Sequence, residues 1–102
     1  MPALLIARVR VNDPDAYKNY MARSGPAVAA FGGRFVVRGT MPEFLEGGDD
    51  GLRTVVAEFP DMETARRWHG SQQYTEARSF RAPPVAEATF MLFETAAPLA
   101  QG

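Results

Sequence analysis

Apolar residues alternate along three stretches of the chain, run almost unbroken through a fourth, and recur at spacings of three and four along two others. Leu4 to Val11 alternates: Leu5, Ala7, Val9 and Val11 form one apolar face, and Leu4, Ile6, Arg8 and Arg10 form the other. That period of two predicts a strand. Asn12-Asp13-Pro14-Asp15 then opens a helix. Asp13 can accept bonds from first-turn amides, Pro14 suits the first helical position, and Asp15 favours the positive end of the dipole. The helical stripe runs Tyr17, Tyr20, Met21, Ser24, Val28 and Phe31. Pro26 lacks an amide donor and crowds the preceding turn, so a kink or two abutting helices are expected near Ser24-Gly25-Pro26. Gly32 offers a left-handed cap.

Arg34 to Thr40 reads as the second strand, with Phe35 and Val37 facing one way and Arg34, Val36 and Arg38 the other. A short run from Glu43 to Glu46 continues it past a bulge at Gly39-Thr40-Met41-Pro42, before a hairpin turn at Gly47-Gly48-Asp49-Asp50-Gly51. Leu52 to Phe59 is the third strand: Val55, Ala57 and Phe59 lie on one side, Thr54, Val56 and Glu58 on the other. Asp61 caps a second helix with Met62, Ala65, Trp68 and His69 inward. Gly70 breaks it, and Ser71 caps a further short helix to about Phe80. Ala82-Pro83-Pro84 is a loop, and Ala88 to Glu94 is the last strand.

That last strand has no polar face. Phe90 and Leu92 cover one side, Met91 and Phe93 the other. The order is βαββαβ, which predicts an α+β, ferredoxin-like fold: a four-stranded antiparallel sheet with helices on one face. The helices can cover only one side. A second copy of the chain is the economical cover for the other, so a homodimer is expected. Residues 1–95 read as one domain, and 96–102 as a loose C-terminal tail.

Composition narrows the function. A chain of 102 residues can bury a real core without staples. A net charge of −1 argues against a nucleic-acid or anionic-membrane partner attracted by bulk charge. The absence of cysteine excludes disulfides, thiol catalysis and thiolate metal sites. His69 is the only histidine, so no metal site is expected. The glycine pairs form no phosphate loop, and no cofactor is expected. The N-terminal apolar run is cut by Arg8 and Arg10, too short for a signal peptide, and no run suits a membrane span. A cytoplasmic protein is the expectation.

Strict alternation places Arg38 and Glu58 on adjacent strands, both facing away from the helices. If that face is covered, each needs a partner. They read either as a cross-strand or interface ion pair, or as an anion-binding arginine held by its carboxylate; a bulge at Gly39 would let Arg34 take the place of Arg38. Tyr17, Tyr20, Trp68 and Tyr74 supply large rings with polar tips, fit either for core or for the walls of a small-molecule pocket. His69 reads as a packing or surface residue of the second helix. It is also the sole acid–base group titrating near neutrality, and so the one catalytic candidate.

Several of these segments together resemble one family. Asp13-Pro14-Asp15-Ala16-Tyr17-Lys18-Asn19-Tyr20, Phe31-Gly32-Gly33-Arg34-Phe35-Val36-Val37-Arg38-Gly39, Leu45-Glu46-Gly47, Glu58-Phe59-Pro60 and Trp68-His69-Gly70-Ser71-Gln72-Gln73-Tyr74 occur in that order. They resemble the bacterial domain-of-unknown-function 1330 family, from Pro2 to about Glu94. The resemblance implies a dimeric α/β barrel, two ferredoxin-like sheets packed face to face with helices outside. It picks out Tyr17, Arg38, Gly39, Glu58, Trp68, Ser71, Tyr74 and Arg81. Relatives in that superfamily include cofactor-independent monooxygenases and muconolactone isomerases. Three functions follow as expectations. The first is a homodimer binding a small aromatic or carboxylate/carbonyl ligand between sheet and helices, through Tyr17, Arg38, Glu58, Trp68, Ser71 and Tyr74. The others are a non-catalytic structural or regulatory dimer, and a cofactor-independent monooxygenase or isomerase-like enzyme.

Overall fold

Period-two and period-3.6 patterns build the elements in the expected order. The computed structural model describes residues 1–96, so positions 97–102 of the expected tail lie outside the described residues. The elements are β1 (Ala3–Val11), α1 (Pro14–Ala30), β2 (Arg34–Thr40), β3 (Arg53–Phe59), α2 (Met62–Gly70), α3 (Gln72–Ser79) and β4 (Ala86–Glu94). The strands form one sheet in the order β2-β3-β1-β4, and every neighbouring pair is antiparallel. This is the α+β, ferredoxin-like arrangement.

Helix starts follow local chemistry. The Asp13 carboxylate accepts from Ala16 N at 3.1 Å, and the Asp61 carboxylate accepts from Thr64 N at 2.7 Å; each satisfies an amide that the helix leaves free. The Asp61 hydrogen bonds to Thr64 hold its carboxyl below the usual carboxylate range. α1 does not split at Pro26: it runs as one helix to Ala30. Pro26 removes one intrahelical bond, while Ser24, Ala27 and Val28 on either side of it are buried, so packing holds the helix where propensity would break it. Gly32 takes φ +71° and ends the turn. Gly33 then lets the chain pass close to the core, since a Cβ there would stand 2.7 Å from Phe59 Cε1.

The helix-covered face alternates small strand residues with large ones and takes its largest rings from the helices. Ala3, Ala7, Ala57 and Ala86 are at most 1% exposed, leaving room for Trp68 and Tyr74 from above. The Trp68 ring lies 4.2 Å from that of Tyr74 and 5.0 Å from that of Phe59.

Two expectations on the β2–β3 half are corrected. Glu43–Glu46 forms no strand; an irregular connection follows β2 instead of a tight hairpin. Asp50 is drawn back onto the sheet by Arg8, whose Nη2 donates to its carboxylate at 2.7 Å. The second correction concerns facing. Arg34 pairs with Glu58 and Phe35 with Ala57, but Val37 then pairs with Val56 and Arg38 with Val55. Val36 is an extra, bulged residue, and it switches the parity of everything after it. Arg38 therefore shares the side of Val55 and Ala57, under the helices. A second bulge at Gly39, with φ +81°, switches the parity back at Thr40.

Candidate functional site

The bulge decides what lies under α1. A cavity of about 50 Å³ opens between that helix and the sheet. Its floor comes from Leu5 and Val9 of β1, Phe35 of β2, Val55 of β3 and Phe90 of β4; its roof comes from Tyr17, Tyr20, Met21, Ser24 and Val28 of α1, and Trp68 closes one wall. Three further lining residues, Arg38, Gly39 and Arg53, come from the bulged strand and its neighbour.

Arg38 reaches across the gap to the helix. Its Nη2 donates to the Met21 carbonyl at 3.0 Å, and its guanidinium stacks 4.4 Å from the centre of the Phe35 ring. Gly25 makes this possible: a Cβ there would stand 3.1 Å from the same Nη2. Arg53 opposes Val9 across the ladder and so points to the helix side. Tyr17 is buried. Burial holds its phenol pKa above the ordinary value, and the guanidiniums of Arg81, Arg53 and Arg38 offset only part of that rise. Three cations from three segments thus act on one hydroxyl.

A second polar group braces the cavity from behind. The Tyr20 and Tyr74 hydroxyls share a hydrogen bond of 2.9 Å, and Arg81 Nη2 donates to the Tyr74 oxygen at 3.2 Å. The Arg81 guanidinium lies 4.5 Å from the Phe90 ring centre. Burial pushes the Tyr20 phenol far up, so it stays a neutral hydrogen-bonding group at any ordinary pH. Trp68 is 2% exposed, and its Nε1–H is buried with no acceptor.

Of the expected site residues, the structure brings Tyr17, Arg38 and Trp68 to the cavity, with Tyr74 one hydrogen bond behind Tyr20. It separates the others. Glu58 does not hold Arg38. It lies on the opposite face and accepts from Arg34 Nε at 3.1 Å, because the Val36 bulge turns Arg38 away from it; Arg34 takes the partner's place, as the alternative register allows. Ser71 sits at the α2–α3 junction, donating to the Trp68 carbonyl at 2.7 Å and accepting from Tyr74 N at 3.1 Å. It sets the angle between the two helices and does not line the cavity. His69 is exposed, beyond Trp68, its ring 5.7 Å from that of Tyr74. Partial burial, then Arg78 and Arg81, lower its pKa.

Sequence reasoning missed Arg53 and Gly25. The signal for Arg53 was there: it has the parity of Val55, Ala57 and Phe59. The signal for Gly25 was a helix-weakening residue in mid-helix, which demands a packing reason. Among the described residues, no group of three His, Cys, Asp or Glu could hold a metal ion. Nor is any helix among them long and apolar enough to cross a membrane.

Solved structures share this architecture at low identity. A protein of unknown function from Rhodopseudomonas palustris is 23% identical with a TM-score of 0.76, over 95% of this chain and 84% of that one. SnoaB, a cofactor-independent oxygenase from Streptomyces nogalater, is 19% identical with a TM-score of 0.65, over 98% of both chains. A dimeric ferredoxin-like protein of unknown function from Thermobifida fusca is 18% identical with a TM-score of 0.58, over 93% of this chain and 92% of that one. These likenesses show the fold. No curated protein matches. The family described as domain of unknown function DUF1330 matches residues 2–96, and with that span the chain belongs to the DUF1330 family.

Proposed function

We propose that this protein is a homodimer that binds a small aromatic or carboxylate/carbonyl ligand in the cavity between α1 and the sheet. The observation that carries this reading is the cavity's make-up: apolar walls with a few convergent polar groups, Tyr17, Arg38 and Arg53. Support for the dimer comes from the face away from the helices. Val36, Met91 and Phe93 are 52%, 38% and 48% exposed there, and apolar area in one patch marks an association surface. The Thermobifida fusca protein of the same fold is described as dimeric.

A catalytic version of the reading draws on the likeness to SnoaB. Its proton donor would be Tyr17, whose buried phenol stays protonated at neutral pH and lines the cavity, and not His69, which lies beyond Trp68. A thermal-shift screen with small aromatic and carboxylate compounds tests binding, and sedimentation tests assembly. Stabilisation that is lost in Arg38→Ala supports the site. No stabilisation by any compound, with Arg38→Ala losing only folding stability, favours a purely structural dimer.

A further inference from the structure

Among the described residues, the cavity is lined richly with donors and has no anionic acceptor. Arg38 and Arg53 line it, and no aspartate or glutamate does. The acidic groups that pair with arginine elsewhere, Asp50 with Arg8 and Glu58 with Arg34, are both committed on other parts of the sheet. Among the described residues, Arg53 makes neither a salt bridge nor a side-chain hydrogen bond. Arg38 uses one nitrogen on a neutral carbonyl. Trp68, which closes one wall, also has an Nε1–H with no acceptor among the described residues. Arg53 is half-buried at the cavity and Arg38 is solvent-exposed at its mouth; two guanidiniums beside apolar walls, with no carboxylate among the lining residues, favour a bound anion.

Size sets a second limit. A water needs about 10–15 Å³ in this measure, so 50 Å³ encloses roughly three to five water-sized groups, and a ligand of one ring with a small head group already extends into the open mouth at the exposed Arg38.

Resting on the binding reading above, we propose that the ligand is a single-ring monoanion, a carboxylate or an ionised enol or phenol. Its charged oxygens lie between Arg53 and Arg38, and its ring lies against Phe35, Val55 and Phe90. Arg53 is the principal anchor, because Arg38 is already engaged by α1. The pull of three guanidiniums on the Tyr17 hydroxyl fits the same positive potential, and that hydroxyl is a donor to the bound oxygen. A charged, hydrogen-bonded pair is about twice as strong as a neutral one, so charge should dominate selectivity among ligands of equal shape.

The test is a matched titration of the intact protein with benzoate and benzamide at low ionic strength, read from Trp68, the only tryptophan, and from arginine side-chain NMR signals. Benzoate should bind at least about tenfold more tightly, and added salt should shrink that margin. Arg53→Gln should remove most of the margin and leave benzamide within about twofold, while Arg53→Lys keeps part of it. Circular dichroism checks that both variants fold; if Arg53→Gln does not, the salt dependence and Arg53→Lys still decide. Equal binding of the two probes overturns the charge inference and leaves the cavity as a binding site. Benzoate preference untouched by Arg53→Gln overturns the anchor assignment. Silence from both probes overturns the binding reading itself.

Discussion

The two faces of one sheet are made of different material. Under the helices, β1 contributes Ala3, Leu5, Ala7 and Val9, all 5% exposed or less; β3 adds Ala57 and Phe59. Four alanines on that face, Ala3, Ala7, Ala57 and Ala86, leave room for the bulk that the helices bring in Trp68, Tyr74 and Tyr20, beside the large strand residue Phe59. On the other face the same strands carry Leu4, Ile6, Val56, Met91 and Phe93, larger side chains and only partly covered, framed by the Arg8–Asp50 and Arg34–Glu58 pairs. A face that carries its own bulk is built to interdigitate with something equally flat. The contrast separates stability and the cavity, under the helices, from the proposed association surface on the bare side.

The largest effect should come from breaking the covered face. Phe59→Ala removes a ring packed on Trp68 and should cost about 3–5 kcal/mol in urea unfolding at fixed protein concentration. Phe93→Ala, on the bare face, should cost less than about 1.5 kcal/mol beyond its effect on assembly. Equal losses that do not depend on protein concentration would show that the two faces are energetically alike.

Ile6→Asp sharpens the association side. Ile6 pairs with Val56 on one flank and Met91 on the other, at the middle of the apolar rows. A carboxylate there, with no donor opposite, should weaken a face-to-face dimer by at least about 100-fold while the subunit stays folded. Sedimentation of wild type and variant at micromolar concentration reads this. A wild-type monomer, or a variant dimer of unchanged affinity, would assign the bare face another role.

Most of the fold was legible because it rests on local signals. Asp13-Pro14 and Asp61 act within one turn, and β1 and β4 pair over nine consecutive residues with no bulge to shift their facing. The site was legible only in part, because it depends on register. One bulged residue, Val36, moves Arg38 from the bare face to the cavity and leaves Arg34 for Glu58. Nothing local in Phe35-Val36-Val37-Arg38 announces this: each residue is at home in a strand, and only pairing with β3 fixes which one is extra. The bulge expected at Gly39 does exist, but it restores the parity that Val36 has already changed.

Two glycines test how the covered face is fitted. Gly33→Ala would place a Cβ 2.7 Å from Phe59 Cε1 and 2.8 Å from Val28 Cγ1, both parts of the packed core, and should cost about 1–3 kcal/mol. Gly25→Ala meets only the tip of Arg38, at 3.1 Å. That flexible tip can yield, and alanine is favoured over glycine in a helix by about 1 kcal/mol. The Gly25 variant should therefore unfold no more easily than wild type, while the Arg38 NMR signals move as the guanidinium leaves the Met21 carbonyl. A loss of stability like that of Gly33→Ala would mean that Arg38 is held rigidly, and the cavity mouth with it.

The smallest effect is expected at His69, on the rim between the faces. Partial burial, then the charges of Arg78 and Arg81, hold its pKa below the ordinary 6.5. The unfolded chain therefore takes up the proton first as pH falls. The neutral ring's contribution is fully present above about 6.5 and is lost as pH drops from there towards the depressed folded value. His69→Gln removes the group, so its urea midpoint should fall less between pH 7.5 and 5.5 than that of wild type. Solvent screens an exposed ring, which keeps the difference small. Parallel pH profiles would show that neither partial burial nor the charges of Arg78 and Arg81 shift this ring in the folded chain.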